Sequence, residues 1–67
     1  MRKANGQSSG WVQKEAAKHT TPESIRRRIT YEAKQIRILE GAGLTGEALE
    51  AHHELIRVLT ERLADFR

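Results

Sequence analysis

Four cationic residues, Arg26, Arg27, Lys34 and Arg37, have the types and spacing for chemistry. On a helix turning about 100° per residue they occupy one flank roughly 100° wide. Cations held in a row on a rigid element neutralise phosphates and release counterions, which gives sequence-independent, salt-sensitive binding. Arginine adds two-pronged contacts to phosphate oxygens. Lys14 and Lys18 extend the row towards the N-terminus, as do Arg2 and Lys3. Arg28 belongs to the same run but leaves the flank. The plainer reading of such a run is a solvated helix face, paired in part with acidic residues of a neighbouring copy. A third is a surface for an acidic protein.

Other reactive groups carry less. His52 and His53 are adjacent, so they point about 100° apart and do not share a metal ion easily. Neither has a second ligand four residues on, so no metal is expected. His52 falls among apolar positions and reads as a hydrogen-bonded interface histidine that helps set register. The chain has one Asp and no Cys, and Glu50, Glu54, Glu61 and Asp65 lie on the wet side of their helix. General acid–base work needs carboxylates in a sheltered site, so an enzyme is not expected, nor is a cofactor. The Gly41-Ala42-Gly43 run follows a helix instead of a strand and is not a phosphate loop.

The elements that position these groups are helical. Thr21 reads as an N-cap, with Pro22 at the first helical position and Glu23 in the first turn. Ile25, Ile29, Ala33, Ile36 and Leu39 then recur at helical spacing, and Gly41 or Gly43 supplies the left-handed residue that ends the helix. The first long helix is predicted over about 22–41. Thr45 is the expected cap of the second, over about 46–66, with Leu44 and Leu49 placed for a hydrophobic staple. The fold class is therefore all-α. With so short a connection, the expectation is an antiparallel two-helix hairpin over 21–67.

The second helix has an apolar face too broad for one partner. Leu49, His52, Leu55, Ile56, Leu59, Leu63 and Phe66 line it, and a face of that width packs against two or more helices. A chain of 67 residues without cysteine builds only a small core, so oligomerisation is the expected support. The seven residues are assigned to an oligomer interface, and two hairpins would make a dimeric four-helix bundle. A helix-turn-helix reader of DNA has a similar outline, but the outer face of its second helix would here be acidic.

Residues 1–20 read as a short or disordered basic tail, with a possible short helix over 11–19. Trp11 either anchors that segment on the bundle or contacts a partner, by base stacking among other means. Tyr31 and Ile38 lie two turns apart and form a second contact stripe. The net charge of +3 is uneven: residues 1–43 hold nine Lys/Arg against four Glu, and residues 44–67 hold three Arg against five acids. No apolar run approaches the ~20 residues that span a bilayer, and none follows the basic N-terminal residues as in an export signal. The expectation is a cytoplasmic, non-enzymatic regulator that binds nucleic acid or another phosphate-bearing ligand. The alternative is a protein-interaction module using Tyr31, Ile38 and Trp11.

Overall fold

A computed structural model describes residues 10–66. Of the tail expected over residues 1–20, residues 1–9, with Arg2 and Lys3, lie outside them. The described residues form three helices: α1 (Gly10–Ala17), α2 (Pro22–Gly41) and α3 (Glu47–Ala64). No strand occurs among them, and no helix is long and apolar enough to cross a membrane.

Local chemistry sets the ends of α2. Thr21 is extended (φ −123°, ψ 153°), and its Oγ1 accepts from the Ser24 amide at 3.1 Å. Such a cap is worth about 1 kcal/mol over alanine. Pro22 follows where its missing N–H is no loss. At the other end, Gly43 takes φ +86°. The Gly43 amide donates to the Glu40 carbonyl at 3.0 Å, and the Leu44 amide donates to that of Leu39 at 2.9 Å. This pair of bonds satisfies carbonyls that the helix leaves open.

The start of α3 differs from expectation. Gly46, not Thr45, holds the cap position, at φ +88° and ψ −152°, and no side chain caps the helix. Only glycine enters that backbone region readily. The chain thus leaves the turn through a glycine conformation that a threonine cap cannot supply. The staple register moves by one residue with it, and Leu44 is left exposed. Glu47 and Glu50 in the first turn complement the helix dipole instead.

His52 in the middle of α3 meets Glu32 in the middle of α2, and Arg62 near the end of α3 reaches the carbonyl of His19 just before α2. The two helices therefore run in opposite directions. The expected pair of helices is nevertheless incomplete as a description, because α1 packs against α3 as a third helix. Val12 and Ala16 of α1 are buried together with Ile25, Leu55 and Leu59, and Ile29, Ala51, Val58 and Leu63 pack around them. The physical reason is the width of the apolar arc on α3. The stripe of α2 covers one side, and a helix of eight residues, too short to persist by itself, finds its stability on the other.

The stripe on α2 also differs in one place. Ile25 and Ile36 are buried, Ile29 and Leu39 are half-buried, and Ala33 is exposed. Glu32 takes the inward position that Ala33 was expected to fill.

Candidate functional site

Glu32 is completely buried, the only charged or polar residue among those described that is. A carboxylate out of water needs partners on both oxygens. Arg28 Nε donates to Glu32 Oε2 at 2.8 Å, and His52 Nδ1 donates to Oε1 at 2.5 Å. A carboxylate acceptor places the proton of His52 on Nδ1. Arg28 also reaches α1, where its Nη1 donates to Glu15 Oε1 at 2.9 Å. Trp11 of α1 packs at a steep angle against the His52 ring, with centroids 5.1 Å apart and planes 67° apart. One hydrogen-bonded chain from Glu15 through Arg28 and Glu32 to His52 thus joins all three helices, and Trp11 closes it over.

The electrostatics follow from this chain. Hydrogen bonds from Lys18 and Arg28 hold the Glu15 carboxyl below its ordinary range. Burial works against the charge on Arg28, but the hydrogen bonds to Glu32 and Glu15 outweigh it and raise its pKa. His19, in the link between α1 and α2, is pushed below its ordinary value by burial and by the nearby charge of Arg28. Its Nδ1 pairs with Ser24 Oγ at 2.5 Å, while its buried Nε2 has no protein partner.

A pH dependence follows, with a definite sign. Above its ordinary value of 6.5, His19 is neutral in both folded and unfolded chains. Below that value the unfolded chain takes up the proton first, so stability falls until the folded pKa is passed. We expect the melting temperature to drop between pH 7.5 and 5.5, and His19→Gln to flatten that drop while His52 and His53 remain. Parallel declines in the two proteins would show that His19 is not the group responsible.

The imidazole–carboxylate pair of His52 and Glu32 has the outline of a general-base dyad. Its carboxylate has no exposure, while the His52 side chain keeps 23% and packs against Trp11. Among the described residues no group of three His, Cys, Asp or Glu stands close enough to hold a metal ion.

The second arrangement is the outer side of α2. Measured around the helix from Glu32, Arg26, Arg27, Lys34 and Arg37 all fall within about 60° of the opposite point. All four are exposed. Arg27 pairs with Glu23 at 3.2 Å, between two well-exposed side chains, which contributes a few tenths of a kcal/mol (~0.3). No ion pair among the described residues engages Arg26, Lys34 or Arg37. From Arg26 to Arg37 the face runs about 16 Å. The opposite side of the molecule is acidic, with Glu47 and Glu50 exposed on α3, Asp65 exposed at its C-terminal cap, and Arg57 held between Glu54 and Glu61.

Lys14 and Lys18 stand on and just beyond α1, a different element from α2, and Lys18 is tied at 3.0 Å to Glu15, whose other oxygen takes Arg28 of α2. Of the seven residues assigned to an oligomer interface, Leu55 and Leu59 are fully buried within the single chain. Val12, Ala16 and Ile25 cover them, so they meet their own chain and not a second copy. Leu49, His52, Ile56 and Leu63 are half-buried, and Phe66 is exposed. Tyr31 is 53% exposed and Ile38 61%, while Trp11 retains 39% and packs on His52.

The periodicity of α2 carries a signal for Glu32. Ile25, Ile29, Glu32, Ile36 and Leu39 recur at four, three, four and three residues, the spacing of a helix seam. A carboxylate in one seam and His52 in the facing one form a natural pair. No protein-family model, curated protein or solved structure matches this chain.

Proposed function

We propose that this protein is a small non-enzymatic binding module, whose ligand is a nucleic acid held by its phosphates along the outer side of α2. The observation that carries this reading is the exposed row of Arg26, Lys34 and Arg37, unpaired within the described chain, with Arg27 beside it in a single exposed pair. Cations spaced along one rigid helix present a continuous positive surface to a polyanion, and the acidic side of α3 orients the molecule by repulsion.

The same reading makes the single chain the binding unit. A dimeric four-helix bundle is attractive if α3 lacks a second neighbour, and α1 takes that place here. Light scattering over a dilution series checks this: one chain mass supports it, and a stable dimer returns Leu49, Ile56 and Phe66 to an interface between copies.

The decisive comparison is a variant with Arg26, Arg27, Lys34 and Arg37 all replaced by Gln. Neutralising four phosphates gives a slope of log affinity against log salt of roughly −3 to −4. We expect the native chain to bind short oligonucleotides with a slope in that range, and the folded variant to lose most of it. Unchanged affinity and slope in the variant would remove α2 from the interface.

A second reading, a protein-interaction module, draws on Ile38, the most exposed of the large apolar residues among those described, with Tyr31 and Trp11. Polyanion binding makes no use of Ile38. Ile38→Asn that abolished association with a protein partner, while leaving oligonucleotide binding intact, would favour it.

A further inference from the structure

We infer that the nucleic acid bound by α2 is single-stranded, and that Tyr31 stacks one unpaired base of it. The inference rests on the phosphate-binding reading and names the ligand class of that same site.

Tyr31 lies four residues after Arg27 and three before Lys34, so both cations are its neighbours along the helix surface. Its ring is 53% exposed although α2 is otherwise well packed on its inner side. The Arg28 guanidinium sits over the ring, 5.5 Å from its centroid. That guanidinium is itself held by Glu15 at 2.9 Å and Glu32 at 2.8 Å. A cation fixed by two carboxylates therefore backs the ring and limits its orientation, which lowers the entropy lost when a ligand stacks on it.

The ring lines an open recess of about 350 Å³ together with His19, Thr21, Glu23, Ser24, Arg27 and Arg28. That volume is at the lower end for small-molecule sites and accommodates a nucleobase. The Glu23 carboxylate can accept from a base amino group, whereas it repels a phosphate. A strand that turns a base into the recess and leads its backbone along Arg27, Lys34 and Arg37 uses each group with the right sign of charge.

A duplex keeps its base faces stacked against one another and has none to give Tyr31. Single strands offer them, and an aromatic platform beside cations is how single strands are held without reading their sequence. Among the exposed aromatics, Tyr31 alone shares the cationic face. Trp11 packs on His52, and Phe66 lies beyond the end of α3.

The test compares a ten-nucleotide single strand of mixed sequence with the duplex it forms with its complement, by fluorescence anisotropy at low and physiological salt. The native chain is expected to prefer the single strand. Tyr31→Ala should weaken single-strand binding by roughly five- to a hundredfold and leave the salt slope and duplex affinity unchanged, while Tyr31→Phe retains binding. A strand carrying 2-aminopurine should be quenched on binding to the native chain, a readout that needs no variant to fold.

Equal affinity for strand and duplex, no 2-aminopurine quenching, or Tyr31→Ala binding like the native chain would each overturn the stacking inference and leave phosphate binding standing. Failure of the native chain to bind either polymer at low salt would overturn both.

Discussion

Replacing Glu32 with alanine is expected to lower the stability of this chain by about 3–5 kcal/mol, the usual effect of removing one partner from a buried charge pair. The reason is what stays behind. Arg28 keeps only 18% side-chain exposure and His52 23%, and both lose the acceptor that justified their burial. A chain of this size seldom has more than about 3–5 kcal/mol in total, so Glu32→Ala should be largely unfolded at room temperature. Glu32→Gln should fall between, because its amide offers one acceptor where two are needed.

The informative control is the double change Glu32→Leu with His52→Leu. It removes the charge and its histidine together and leaves Arg28 with Glu15. Replacing a buried polar set by apolar groups of similar size is often neutral, so the double variant should recover much of the stability that Glu32→Ala loses. Urea unfolding followed by circular dichroism measures all three. A Glu32→Ala midpoint close to the native one would mean that the Arg28–Glu32–His52 chain does not hold the helices together.

The second large effect is expected at Leu59. Leu59→Ala should cost about 2–5 kcal/mol through lost burial and the cavity left behind. Leu59 is at 0% exposure, in contact with the layer where Val12, Ala16, Ile25 and Leu55 meet. Ile38→Ala deletes a similar number of carbons from a side chain that is 61% exposed, and should stay within about 0.5 kcal/mol of the native chain. Midpoint shifts in urea with unchanged slope separate the two. Equal losses at both positions would place a second apolar interface over Ile38 and weaken the case for a chain that acts singly.

Loss of α1 docking should accompany either destabilising change, because Val12 and Ala16 reach the same layer and Glu15 depends on Arg28. Trp11 is the single tryptophan of the chain and touches His52. Its fluorescence therefore reports on this docking separately from total helix content.

Local rules made much of this architecture legible. The Thr21 cap, Pro22 behind it and Gly43 at the far end of α2 answer needs that arise within a few residues: unpaired amides, a fixed φ and a left-handed turn. The cations of α2 fall on one outer flank because helix periodicity places them there whatever the rest of the chain does. The breadth of the apolar face on α3 could be counted in the same way, and so could the need for more than one neighbour.

What covers that face was not a local matter. A helix of eight residues has marginal propensity, and contact with Leu55 and Leu59 makes α1 worth forming within the single chain. The cap of α3 moved from Thr45 to Gly46 because the path of the turn, not the chemistry of a hydroxyl, selects the backbone conformation there. Glu32 lies four residues after Arg28 on one helix, a spacing that exposed surface pairs also use. Its burial depends on the register that brings His52 across from α3 and Glu15 within reach from α1. Sequence by itself determined the two long helices, their polarity and the cationic flank, since each depends on neighbours in the chain. Tertiary structure decided the partner of the broad face and the role of Glu32, since both depend on groups far apart in sequence that meet only when three helices pack.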